Sequence, residues 1–328
     1  GEIFATPSRT RRGDYPYPRH MRHGSWSMAK SAAATLTMLR LARLYGDEVL
    51  EAPVAALLDV SAPHDGWDGV TLGDCLNMAT GIGDAQPTPE PVDILADNTT
   101  DPASDARYRS WYDRPSARAR IDACFALGNY PWGPGEVARY RDPDIFMAGA
   151  VMDALYRREA GPGADLWTMM LEEVYAAIGI PHLPMNRTLE ADGSAGLALM
   201  AFGLFLAMDD VARIARLLHD GGVAGGEQLL SPALLAQAID PRTPKGLPTG
   251  LDTPDGPVTY HLAFWHLPFR ANSGALFHLP TMVGYGGNRV LLLPNGMTTF
   301  RFAHDDPGAD EHYDVLRFAR IADAIEPF

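Results

Sequence analysis

Lysine is almost missing from this sequence. Of 27 basic side chains only Lys30 and Lys245 are lysines, and arginine supplies the rest. Arginine is never deprotonated in proteins, whereas a buried lysine can lose its proton and act as a base. A lysine kept where arginine serves everywhere else therefore points to proton chemistry. Cysteine is equally scarce. Cys75 and Cys124 form neither a C-x-x-C pair nor a metal-ligand spacing, so they read as isolated core thiols and leave the redox compartment open. Apolar runs of the roughly 18–20 residues that span a bilayer are absent, so no transmembrane helix is expected. Residues 1–22 carry arginines but no apolar stretch of a secretory leader, and the compartment, cytoplasm or periplasm, stays open. Cations are outnumbered, 27 against 41 acidic residues for a net charge of −14, which argues against nucleic acid or an anionic membrane as partner. The N-terminal cluster Arg9, Arg11, Arg12, Arg19 and Arg22 reads as an arm paired to the acidic body. The ten histidines contain no H-E-x-x-H pattern, so neither metal nor organic cofactor is implied. No Gly-x-Ser-x-Gly elbow occurs, which counts against an α/β-hydrolase.

What remains is an ordinary globular composition, 46% hydrophobic and 21% charged, in a chain of 328 residues, long enough for two packed subdomains. Residues 1–23 read as irregular chain. From Ser27 to Tyr45 the sequence reads as one helix closed by Gly46, apolar most of the way round and therefore central. Short helices are expected over 48–60 and 70–80, then a long Pro-, Asp- and Thr-rich loop over 86–115, of the kind that forms lids. Helices follow over 116–127, 144–159, 165–178, 208–219 and 231–239. After about residue 255 the pattern turns to strands: Val258–Trp265, Leu276–Val283, Arg289–Leu293 and Met297–Ala303, with a hairpin at Pro294-Asn295-Gly296 and a last helix over 312–325. The order implies an α+β fold: an antiparallel sheet flanked by helices, with a helical domain inserted. The expected division is 1–60 for the arm and Ser27 helix, 61–250 for the helical insert, and 251–328 for the strands and closing helix.

Three stretches carry chemistry. Ser27 and Lys30 lie three apart at a helix start, hence on one face of its first turn. The helix N-terminus puts free N–H groups where an oxyanion would form, and the serine needs a base. A capping serine followed by a solvent-facing lysine would look the same in sequence. Tyr140 follows the Pro134-Gly135 turn and precedes a helix, so its phenol can reach a cleft as easily as it can sit in a core. Val283-Gly284-Tyr285-Gly286-Gly287-Asn288-Arg289 places glycines between strand-like runs, which marks either a close approach or a tight turn.

Together, Ser-x-x-Lys, then Pro-Gly-x-x-x-x-Tyr-x-Asp, then a glycine-rich strand motif resemble the serine β-lactamase-like hydrolases. That superfamily holds class C β-lactamases, penicillin-binding proteins, esterases and oligomer amidases. Val70–Ile82, Asp209–Gly222 and Leu230-Ser231-Pro232 also resemble its supporting segments. The resemblance runs from about residue 20 to the C-terminus. It implies Ser27 as nucleophile, Lys30 and Tyr140 as proton-transfer partners, and Asp142 at the usual asparagine position. Gly287 precedes Asn288, whose N–H would join that of Ser27 in an oxyanion hole. Tyr285-Gly286-Gly287 would stand for the Lys-Thr-Gly of true β-lactamases. The substrate would be a small-molecule ester or amide, with Trp26, Trp111, Tyr112, Trp132 and Tyr285 as candidate cleft aromatics for a partly apolar acyl group.

Three departures qualify the resemblance. Asp142 adds a negative charge that should hold Lys30 protonated and favour Tyr140 as the proton acceptor. Tyr285 removes the cation that grips a β-lactam or peptide carboxylate, which argues against β-lactamase and DD-peptidase activity. The family's helix and two strands that precede Ser-x-x-Lys find no room in 26 residues, so a partner chain or a removed segment would have to supply them. A catalytically silent binding module, or a structural subunit completing another chain's sheet, are the competing readings.

Overall fold

The computed structural model describes residues 9–10, 13–83, 94–95, 111–303 and 315–328. The expected loop over 86–115 falls almost wholly outside them, as do the side chains of Arg9, Arg11 and Arg12.

The centre is a single apolar helix. Its first turns, Lys30–Thr35, are π-helical and run straight into α1 (Leu36–Tyr45). Leu36, Met38, Leu39 and Leu41 are fully buried, each contributing on the order of 1.5–3 kcal/mol of apolar burial. Gly46 ends the helix at φ 105°, a backbone angle that glycine adopts without strain. Short α2 (Val54–Leu58) and α3 (Leu72–Leu76) follow, α3 opened by a reciprocal Thr71–Asp74 capping box. Then come α4 (Ala117–Phe125), the long α5 (Asp142–Ala160), α6 (Leu166–Met170), α7 (Met208–His219) and α8 (Pro232–Ile239). The arm is tied down as the charges implied: Arg19 pairs with Asp209 at 2.9 Å and Arg22 with Asp210 at 2.7 Å.

The C-terminal region is an antiparallel meander of six strands: β1 (Leu247–Thr253), β2 (Gly256–His261), β3 (Phe264–Arg270), β4 (Leu276–Gly284), β5 (Asn288–Leu292) and β6 (Thr298–Arg301). Each pairs with its sequence neighbour, and β6 pairs with β5 alone among the described residues. Period-two alternation sorts the two faces. Phe269, Leu279, Leu291 and Leu293 meet Leu316, Ala319 and Ala322 of α9 (Leu316–Ile325), whereas Phe264, Met282, Val290 and Leu292 join the larger core with the Ser27 helix.

Two sequence expectations change. Val258–Trp265 is not one strand: the chain reverses at Leu262-Ala263, both left-handed at φ 44° and 62°. Neither residue type signals a turn, so tertiary contacts must hold it. Ser31 Oγ and Thr35 Oγ1 donate to the carbonyls of Ala263 and Leu262 at 2.5 and 2.7 Å, and Leu262 N–H donates to Asn77 at 2.8 Å. The other change is β1, a strand that the sequence reading missed because Pro248 and Gly250 interrupt it. Both are tolerated on an edge, where only one side of the ladder is paired.

Candidate active site

Ser27 sits in the turn just before the central helix. That turn is stitched to residues 204–206: His23 and Gly24 pair with Leu206 and Phe205, and Ser25 donates both its N–H and its hydroxyl to the Leu204 carbonyl at 2.9 and 2.7 Å. Trp26, immediately before the serine, is left-handed at φ 49°, a conformation costing about 1–2 kcal/mol that the surrounding contacts hold in place. The Ser27 N–H donates to no acceptor among the described residues. It is an open donor at a helix N-terminus.

Lys30 is 1% exposed and makes three hydrogen bonds. Its Nζ reaches Ser27 Oγ at 2.8 Å, Asp142 Oδ1 at 2.5 Å and the Ala201 carbonyl at 2.7 Å. An ammonium has three donors and here meets three acceptors, so the charged form is fully satisfied. Burial by itself would lower the lysine's pKa, but the Asp142 carboxylate and the Tyr140 phenol outweigh it, and the net direction is upward from 10.5. Asp142 is the first residue of α5, where the helix dipole favours a carboxylate.

Tyr140 enters two residues earlier, on an extended segment held by Arg139 N–H to the Met78 carbonyl and Tyr140 N–H to the Ile94 carbonyl, both 2.7 Å. A buried ion pair, Arg141 to Asp144 at 2.5 Å with Thr80 alongside, fixes the same segment to α5. The Tyr140 ring packs on Tyr260 and Trp265 at 5.7 and 5.3 Å, and Lys30 Nζ lies 5.1 Å from its centroid. Ser27, Lys30, Tyr140 and Asp142 thus converge although the last two lie more than a hundred residues along the chain.

The glycine motif is a three-residue hairpin between β4 and β5: Gly286 and Gly287 are left-handed at φ 77° and 87°. Gly284, at its base, approaches the nucleophile turn so closely that a Cβ there would collide with the Ser25 carbonyl. Asn288 is fully buried, and its side chain holds the hairpin, donating to the Tyr285 carbonyl at 2.7 Å and accepting from Ala303 N–H at 3.0 Å. The Tyr285 ring is 67% exposed and meets Trp26 edge-on at 5.7 Å.

The remaining aromatic candidates separate. Trp111 is fully buried against Phe146 and Phe202, so it is a core residue. Trp132 stacks on Tyr130 at 4.6 Å beneath the Arg139 guanidinium, beside the Arg141–Asp144 pair rather than against Ser27. Tyr260 and Trp265, which back Tyr140, were not singled out from sequence. Their signal was present in the strand alternation, which puts Val258 and Tyr260 on the same face. Cys75 and Cys124 are free and buried, and burial pushes both thiols well up, which keeps them protonated. Among the described residues no cluster could hold a metal ion, and no helix is long and apolar enough to cross a membrane.

No protein-family model matches the sequence, and no curated protein does. Solved structures do. A Bacillus anthracis protein assigned as a 6-aminohexanoate-dimer hydrolase superposes with a TM-score of 0.67 at 16% identity, over 96% of this chain and 76% of its own. A penicillin-binding protein from Bacillus halodurans superposes at 0.62 and 16% identity, over 97% and 94%. EstCE1, a hydrolase with promiscuous acyltransferase activity, does so at 0.56 and 14%, over 87% and 80%. The chain has the serine β-lactamase/penicillin-binding-protein fold. Within that β-lactamase-type fold, the mixed architecture expected from sequence is present, with the antiparallel sheet between the Ser27 helix and α9.

Proposed function

We propose that the protein is a serine hydrolase that cleaves an ester or amide through an acyl-Ser27 intermediate. The observation that carries the reading is the 2.8 Å contact of a buried lysine with a serine at a helix N-terminus whose N–H is unclaimed. Lys30 rests as an ammonium that donates to Ser27 Oγ, so it is not the base in this state. In its phenolate form beside that ammonium, Tyr140 takes the Ser27 proton as Oγ bonds to the substrate carbonyl carbon, and so becomes the phenol that serves as acid in the next step. The oxyanion falls to the Ser27 N–H and, in this reading, that of Asn288. Collapse breaks the bond to the leaving group, which takes the proton from Tyr140. Water, or another acceptor, then releases the acyl group by the reverse proton route. The similar structures, titled as hydrolases and a penicillin-binding protein, agree with this class of chemistry.

The test is labelling with a fluorophosphonate and peptide mapping, with Lys30→Ala as control. We expect an adduct on Ser27 in the parent protein and a loss of at least 100-fold in labelling rate in Lys30→Ala, in the range typical of acid–base groups. A folded parent protein that forms no adduct would instead support a silent binding module, a reading favoured by the one residue that locks Lys30 in its charged form, Asp142. Because Tyr285 stands where a carboxylate-gripping cation would be, nitrocefin turnover is expected to be negligible even where Ser27 labels. Efficient nitrocefin hydrolysis would restore the β-lactamase alternative.

A further inference from the structure

Tyr112 is tied to the surroundings of Lys30 through Phe202, though the motifs do not reach it. It lies on a short helical turn within the C-terminal end of the 86–115 segment, and it is 38% exposed. Phe202 stacks on that ring at 5.0 Å with an interplanar angle of 27°, and the Arg120 guanidinium lies 5.9 Å from its centroid. Phe202 directly follows Ala201, whose carbonyl takes the third hydrogen bond of Lys30. The charges of Asp142 and Lys30 both act on the Tyr112 phenol, which burial pushes up and so keeps protonated as a donor. That hydroxyl has no hydrogen-bond partner among the described residues. A clamped, partly exposed aromatic ring carrying an unclaimed donor, stacked on the residue that follows the Lys30 acceptor Ala201, has the character of a ligand contact.

A second aromatic pair, Trp26 with Tyr285, reaches Ser27 through its chain neighbour. Neither pair brings a spare cation. All three Lys30 donors are taken, and Asp142 contributes negative charge. Resting on the acyl-serine reading for the chemistry alone, we propose that Tyr112 contacts the substrate. Its hydroxyl donates a hydrogen bond to the substrate, and its ring, with Trp26 and Tyr285, selects an uncharged ester or amide bearing apolar groups over a carboxylate-bearing one. Arg120 fixes Tyr112 from behind and does not offer its charge to the substrate: it is 8% exposed and its Nε donates to the Arg114 carbonyl.

Calorimetric titration separates this from the catalytic reading. A Ser27→Ala variant is titrated with N-octylhexanamide and with its anionic counterpart, N-octylsuccinamate. The neutral amide is expected to bind at least tenfold tighter. Tyr112→Ala and Tyr285→Ala, each in that background, should weaken it fivefold or more, and Tyr112→Phe roughly threefold to tenfold, the value of one hydrogen bond. Equal affinity for the two ligands, no measurable binding, or indifference to Tyr112→Ala overturns the proposal. Should Ser27→Ala fold poorly, the parent protein supplies the same comparison through kcat/KM for 4-nitrophenyl octanoate against 4-nitrophenyl hemisuccinate. A fluorophosphonate adduct without amide selectivity sinks the cleft alone, whereas selective binding without an adduct sinks the hydrolase alone.

Discussion

Asp142 is the residue on which the resting state turns. It raises the Lys30 pKa against a large opposing effect of burial, so replacing it by neutral asparagine removes the charge while keeping the shape. The sign follows directly: without the carboxylate the lysine loses its proton at lower pH. In Asp142→Asn the alkaline limb of the fluorophosphonate labelling profile should therefore move to lower pH. An unmoved profile would mean that neither Lys30 nor Tyr140 limits the step. Gly284 controls geometry rather than charge. Because an alanine Cβ would meet the Ser25 carbonyl, backbone must shift at the nucleophile turn. Gly284→Ala should cost about 1–3 kcal/mol in urea unfolding and depress labelling of Ser27 more than tenfold. Wild-type labelling in a destabilised variant would show that the turn tolerates the displacement.

At the scale of elements, the link between the central helix and the sheet is the strained turn at Leu262-Ala263. Two non-glycine residues in the left-handed region cost about 1–2 kcal/mol each. They persist because the helix supplies hydroxyl donors to both carbonyls, and the π-helical turns of Lys30–Thr35 carry those hydroxyls. Thr35→Val keeps the volume and removes one donor, leaving the Leu262 carbonyl without that partner. A loss of about 1–2 kcal/mol is expected from chemical denaturation. Ala263→Gly relieves strain at the same turn and should leave stability unchanged or raise it by about 1 kcal/mol. If both substitutions destabilise equally, the turn is held by packing and not by the hydroxyl clamp.

Over the whole molecule, acid is the condition that should unfold it. Burial lowers the His266 pKa from 6.5 to about 3 and that of His261 to about 4, with Lys245 adding repulsion to both. A base whose folded pKa lies below its unfolded value takes up protons on unfolding, so this stabilisation is complete above pH 6.5 and is lost progressively as pH falls toward 4 and then 3. The two groups together amount to a few kcal/mol by pH 4.5. Urea midpoints should drop between pH 7 and pH 4.5, and His266→Leu should flatten that dependence. A parallel drop in the variant would assign the acid sensitivity to other groups.

Sequence alone determined the class of fold and the local pairing of Ser27 with Lys30. Ser27 and Lys30 are three residues apart, and helical geometry brings any such pair together whatever surrounds it. The scarcity of lysine marked the pair, and the later half of the meander, from Leu276 on, was legible in its alternation and its turn residues. Long-range decisions lay outside that reach. Where the aromatic candidates ended up depended on packing: Trp111 went to the core and Trp132 to a stack with Tyr130, while Tyr112 stayed partly exposed against Phe202. The reversal at Leu262-Ala263 carries no turn signal because its strain is offset by partners at residues 31, 35 and 77. Likewise, the protonation of Lys30 could be argued from Asp142, but the third acceptor, Ala201, came only with the fold. Contacts between residues more than a hundred positions apart follow from the shape of the packed core, and no short window of sequence contains it.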